Sequence, residues 1–182
     1  MRNTLMMLVA LMCALTVCAD ITPAADFDLQ KMSGKWYTVA LASNAQWFVN
    51  HKAGIKTGTA VIVLTEGGDM DLTYASLKDD GYCYRPTLTA QKTETPGRFT
   101  FHSQVGINDN VVTIVEVVYD DYALVHTIKT KEEVSEAFIA VYSRTIEFSE
   151  VVQQKFTQLA LEAGVLPDNA VILPQIAECP AV

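Results

Sequence analysis

Four cysteines, three histidines and a few neighbouring carboxylates are the residues of this 182-residue chain whose types suit catalysis or metal binding. Cys13 and Cys18 lie in an apolar N-terminal run, which leaves Cys83 and Cys179 in the body of the chain. Two thiols in an exported chain are expected to pair, and a loop of that length stabilises by about 4–5 kcal/mol in the chain-entropy model. His51, His102 and His126 stand alone, with no partner at i+4 and no thiolate beside them, so no zinc-type ligand set is present. Solvated loop or strand positions account for them, and His126, on a strand, has a second reading as a wall residue facing an interior. Asp79-Asp80, Asp120-Asp121 and Glu132-Glu133 fall in turn-like segments, where solvation explains them and the burial that carboxylate catalysis needs is missing. No Gly-x-Ser-x-Gly elbow, P-loop or dinucleotide fingerprint occurs, and no cofactor is expected.

The N-terminal run has its own logic. Arg2, the apolar stretch Leu5–Val17 and the small-residue site Val17-Cys18-Ala19 have the layout of a secretory signal peptide over residues 1–19. The apolar stretch is shorter than the ~20 residues that span a bilayer. Residues 20–182 then read as a single secreted, extracellular domain with no membrane span. Losing Arg2 leaves 12 basic against 21 acidic side chains, a net charge of −9. Such a surface repels nucleic acid and anionic membranes. No Asn-x-Ser/Thr acceptor is present. Nothing in the pattern fixes an oligomeric state.

The elements that must position any site are short and β-rich. Runs at 36–42, 59–65, 71–77, 82–92, 98–103, 111–119, 122–129 and 137–144 are separated by turn chemistry. The separators are Gly67-Gly68, Asp79-Asp80-Gly81, Pro96-Gly97, Asn108-Asp109-Asn110 and Asp120-Asp121. Eight strands in uninterrupted succession predict an all-β, antiparallel up-and-down barrel with room for one small ligand. The connection 43–58 is long for a hairpin and holds Trp47 and Phe48, so it is either a flap over the barrel mouth or a loop pinned to the rim by Trp47. After Arg144 the period becomes helical. Ser149 caps it, Val152, Phe156, Leu159 and Ala163 form one stripe, and Gly164 and Pro167 end it, giving an α-helix packed outside the barrel. Residues 170–173 read as a short ninth strand.

Three local patterns resemble the lipocalins. Gly34-Lys35-Trp36 opens the first strand, Tyr142-Ser143-Arg144 closes the last barrel strand, and Cys83 and Cys179 sit where that family ties a strand to its tail. The resemblance spans the whole chain after the leader. It implies that Gly34, Trp36 and Arg144 are structural, with the guanidinium lying across a buried indole, and the alternative for Trp36 is ligand contact. The family's Thr-Asp-Tyr pattern is altered here to Val117-Val118-Tyr119 followed by Asp120-Asp121-Tyr122.

Within the family, Leu41-Ala42-Ser43-Asn44 before Trp47, the run 115–124, and Leu173-Pro174-Gln175 before Cys179 resemble the lipocalin-type prostaglandin D synthases and their non-enzymatic relatives. Those synthases act through a thiol at the start of the second strand. Counting without gaps from Trp47, that position is Gly58. The resemblance therefore implies the fold without the chemistry: a carrier of a small hydrophobic molecule such as a fatty acid or retinoid, with prostaglandin isomerisation as the rival. A siderophore-binding branch uses several lumen cations. Here Lys129 falls near one such place, while Ala140 stands where that branch can carry arginine. A surface-interaction role is the third class. Strand parity from an inward Trp36 places Thr38, Ala40, Val61, Val63, Leu72, Tyr74, Phe99, Phe101, Leu124 and His126 inside, with Trp47 at the mouth.

Overall fold

A computed structural model describes residues 21–104, 106–147 and 149–180. The signal-peptide reading of residues 1–19, with Cys13 and Cys18, lies outside the described residues. The strands are β1 (Gly34–Ser43), β2 (Gly58–Leu64), β3 (Met70–Leu77), β4 (Cys83–Tyr84), β5 (Thr87–Lys92), β6 (Arg98–Ser103), β7 (Asn108–Val118), β8 (Tyr122–Lys131), β9 (Val134–Ser143) and β10 (Ala170–Ile172). Among the described residues three α-helices accompany them: α1 (Leu29–Met32), α2 (Gln46–His51) and α3 (Glu150–Glu162).

Setting aside β4 and β10, each strand pairs antiparallel with the next, and β9 returns to β1. The result is a closed eight-stranded barrel, which leaves no open sheet edge between first and last strands. β10 lies beside the second half of β1, from Ala40 to Ala42, where β2 no longer pairs. The run 82–92 is broken at Arg85-Pro86, since proline has no N–H to donate, and only β5 belongs to the barrel wall.

One local expectation is corrected. The segment Asn108-Asp109-Asn110 opens β7 rather than forming the turn, which lies earlier, around Gly106-Ile107. The helix stripe also takes in Ala160, and Ala163, the C-cap residue of α3, packs partly buried against the same core. The Ser149 hydroxyl accepts from the Val152 N–H, as its type and place require, and Gly164 takes a positive φ of 76° just past the end.

The apolar residues divide into two cores. One lies outside the barrel wall, where Val152, Phe156 and Leu159 of α3 press on Leu124, Ile139 and Val141. The other fills the interior, from Trp36 and Met32 at the closed end through Ile62, Phe99 and Ile114. A β-bulge between Thr38 and Ala40 separates these worlds along β1: Thr38 precedes it and faces in, while Ala40 follows it and faces α3. A second bulge, between Ile114 and Glu116, does the same to β7.

Cys83 and Cys179 form the disulfide expected from the cysteine count, with Cα atoms 5.7 Å apart across a sequence separation of 96. It ties β4 to the C-terminal tail.

Candidate functional site

The up-and-down order sends alternate loops to opposite ends of the barrel. The closed end is built around Trp36, which is fully buried and donates its indole N–H to the Met32 carbonyl at 2.8 Å. The Arg144 guanidinium lies over that ring at 3.6 Å. Its Nε donates to the Tyr119 carbonyl at 2.8 Å and its terminal nitrogens donate to the carbonyls of Lys35 (2.8 Å), Ser33 (3.1 Å) and Lys31 (3.3 Å). A Cβ at Gly34 would stand 3.2 Å from the Arg144 guanidinium, a tight contact, and its φ of +106° is one that side chains rarely adopt, so a larger residue would be strained there.

Above this floor is an apolar cavity of about 220 Å³. Leu41, Leu72, Leu88, Phe101, Val125 and Phe138 contribute to its wall. It also touches Tyr142 and Lys129, and Lys129 is the one charged residue lining it among the described residues. The Lys129 ammonium sits 4.4 Å from the centre of the Phe138 ring. Burial pulls its pKa below the usual lysine range, with Glu136 partly opposing. Asn110, the cross-strand partner of Lys129, has a buried side-chain carbonyl with no hydrogen-bond partner, although its amide donates 2.7 Å to Asn108 Oδ1. On the opposite wall the Thr38 hydroxyl is also buried without a partner, next to Gly58 on one side and Tyr142 on the other. Burial pushes the Tyr142 phenol up to about 12, with Tyr74 adding to the effect, so both phenols are neutral donors at physiological pH. The interior thus offers mostly hydrocarbon, one cation and a few polar groups that can orient a ligand.

Outside the cavity a vestibule of about 610 Å³ shares Lys129 and Phe138 with it. Trp47 lines this vestibule, exposed and stacked on His51 at 5.0 Å between ring centroids. Its neighbour Phe48 is buried edge-on against Phe138 at 6.1 Å. The loop is therefore pinned by Phe48, and Trp47 is left at the mouth.

Of the interior residues expected from parity, Thr38, Leu72, Tyr74, Phe99 and Phe101 face inward. Ala40, Leu124 and His126 do not. Ala40 and Leu124 are buried on the outer face under α3, and His126 shares that face in the cross-strand row with Thr113 and Ile139. Val61 and Val63 also point outward, 40% and 52% exposed. Ala60 and Ile62 take the inward places, opposite Trp36 and Gly34. On β8 the inward residues are Val125, Thr127 and Lys129. Lys129, Phe138, Tyr142 and Leu41 were missing from the interior set expected from parity. Restarting the inward parity after the β1 bulge finds Leu41, whereas β8 and β9 pair with each other without a register shift and offer no such signal for the other three.

Burial, reinforced by the Arg98 charge, lowers the His126 pKa. The unfolded chain then binds more protons on the acid side of about pH 6.5, so stability is full above that pH and falls below it. We expect His126→Gln to flatten the loss of Tm between pH 7 and pH 5. An unchanged acid limb would show that His126 does not govern it.

Gly58 opens β2 at the mouth end. A side chain built there would collide with the Tyr74 ring and hydroxyl, so tyrosine occupies the space where a second-strand side chain would project. No group of three or more metal-ligating side chains comes together among the described residues.

Comparison with known proteins places this geometry. The Lipocalin / cytosolic fatty-acid binding protein family model matches residues 33–177. The chain is a lipocalin. A protein named Lipocalin from Rhinella marina is 41% identical over 166 residues, covering 91% of this chain and 90% of that protein. The Prostaglandin-H2 D-isomerase of Felis catus is 32% identical over 162 residues, covering 88% and 84%. A solved structure described as "The Siderocalin Ex-FABP functions through dual ligand specificities" superposes with a TM-score of 0.70 at 28% identity, covering 82% of this lipocalin and 99% of that chain. The family typically holds small hydrophobic ligands and is mostly made of carriers, with isomerases among the relatives. Lipocalins are generally secreted, and the disulfide of this one accords with an oxidising compartment. No helix among the described residues is long and apolar enough to cross a membrane.

Proposed function

We propose that this lipocalin is a secreted, non-enzymatic carrier, residues 1–19 being its leader and 20–182 its single domain. It holds a long-chain lipid, a fatty acid, a retinoid or a related mediator, with Thr38, Leu72, Tyr74, Phe99 and Phe101 lining the pocket and Trp47 at its entrance. The observation that carries the reading is the apolar cavity with one cation, Lys129, at its outer limit. That arrangement suits a hydrocarbon tail inside and an acidic head at the mouth.

The isomerase rival draws support from the named mammalian relatives. Against it, Gly58 has no nucleophile, Tyr74 fills the adjoining space, and Cys83 and Cys179 are joined to each other. A siderophore-type ligand needs several lumen cations, and the cavity offers one.

Purified protein is expected to bind oleic or retinoic acid with a dissociation constant of about 1 μM or below, equivalent to about −8 kcal/mol, read from tryptophan fluorescence. It is expected to leave prostaglandin H2 decaying at its spontaneous rate, with or without added thiol. Gly58→Cys alone should stay silent, because the new side chain meets Tyr74. Robust turnover by the unmodified protein overturns the carrier reading, and failure to bind any lipophilic probe overturns the pocket assignment.

A further inference from the structure

The four segments around the mouth each present an apolar side chain to solvent. They are 44–57, 78–82, 106–107 and 131–134, and the alternation of the meander brings all four to one end. Trp47, Tyr82, Ile107 and Val134 are 62%, 63%, 68% and 62% exposed. Apolar groups gathered around an opening, each on a different loop, serve no core.

Two further observations say what covers them. Ile107 holds a φ of +49°, and among the described residues it is the only β-branched one in the left-handed region. That conformation disfavours a branched side chain, so stability gives no reason for isoleucine there. The second observation is charge. The four segments contain Lys52, Lys56, Lys78 and Lys131 against Asp79, Asp80, Glu132 and Glu133, which cancel, so the net charge of −8 lies wholly on the rest of the chain. The mouth segments are net neutral, and the rest of the chain is net anionic. A neutral rim carrying a tryptophan, a tyrosine and two aliphatic tips matches the headgroup zone of a zwitterionic bilayer, where aromatic rings settle and lysine stems can lie along apolar surface with the ammonium in water. An anionic membrane would be repelled by the body of the protein.

We propose that this lipocalin docks mouth-first on neutral lipid surfaces, inserting the tips of its rim loops so that a lipid passes between bilayer and barrel without crossing bulk water. The proposal rests on the carrier reading for its purpose, but docking is measurable without cargo.

The chain carries its own reporter. Trp47 stands at the rim, while Trp36 is buried at the opposite end. Titration with phosphatidylcholine vesicles should blue-shift the Trp47 emission, and bromine-labelled phosphatidylcholine should quench that component while sparing Trp36. Ile107→Asn combined with Tyr82→Ser should weaken vesicle partitioning at least tenfold. Binding of a fluorescent fatty acid in solution should stay within twofold of wild type, which separates failure of docking from failure of the carrier reading. Ile107→Asn alone should raise Tm while reducing partitioning, since asparagine accepts the left-handed conformation. Absence of any Trp47 response at millimolar lipid, equal partitioning by the double variant, or binding that requires phosphatidylserine would each overturn the proposal. Self-association abolished by the double variant, without vesicle binding, would assign the rim to a second copy instead.

Discussion

Trp36→Ala is expected to lower the free energy of unfolding by about 3–5 kcal/mol, the range for removing a large buried aromatic side chain. The indole is fully buried, and its loss opens a void at the barrel floor next to Met32 and Ile62. Its N–H no longer satisfies the Met32 carbonyl. The guanidinium of Arg144 loses the ring it lies against, an attraction worth about 0.5–2 kcal/mol. The carbonyls that Arg144 gathers come from the chain entry, at Lys31, Ser33 and Lys35, and from the β7–β8 turn, at Tyr119. Loosening this cation therefore loosens two segments at once. Arg144→Lys should reproduce part of the loss, because an ammonium cannot serve four carbonyls as a fork does. Urea denaturation measures both variants, with fatty-acid affinity of the folded protein expected to change less than tenfold. A Trp36→Ala protein of wild-type stability would show that the indole is not a core residue.

Breaking the Cys83–Cys179 bond is expected to cost about 2–5 kcal/mol, since a separation of 96 residues restrains the unfolded chain strongly. The native side is equally dependent on it. The tail is otherwise held by a few contacts: the Leu173 N–H donates to the Val39 carbonyl at 2.9 Å, and the Thr57 N–H to the Pro174 carbonyl at 3.0 Å. Glu178 accepts from the Tyr37 hydroxyl at 2.6 Å and pairs with Lys35 at 2.5 Å, both in exposed positions, where ion pairs add little. Non-reducing peptide mapping should recover Cys83 and Cys179 in one linked species, and alkylation without reductant should label neither. The double variant Cys83→Ser/Cys179→Ser should unfold at lower urea and lose protection of the tail in hydrogen exchange. Full alkylation of both thiols before reduction would contradict the pairing.

The sequence by itself determined the architecture, because its signals are local. Turn residues such as Gly67-Gly68 and Pro96-Gly97 break the chain wherever it runs, Ser149 and Gly164 mark a helix by backbone requirements, and Trp36, Arg144, Gly34 and the cysteine pair have few alternative uses. Which side chains face the cavity was decided only in three dimensions. In β2, Ala60 to Leu64 are apolar without interruption, so alternation gives no parity, and Val61 and Val63 were assigned to the wrong face. On β8 the outer face is as dry as the inner one, because α3 packs over Leu124 from far along the chain, and two apolar faces erase the period-two signal. In β1 a bulge adds one residue at Val39 and sends Ala40 outward and Leu41 inward, a change set by pairing with β9 rather than by local preference. The same holds at the mouth. Trp47 and Phe48 are adjacent aromatics, and only the presence of Phe138 across the barrel decides that one is buried and the other meets solvent. Strand existence follows from each segment's own residues, whereas facing follows from what other segments bring to its two sides.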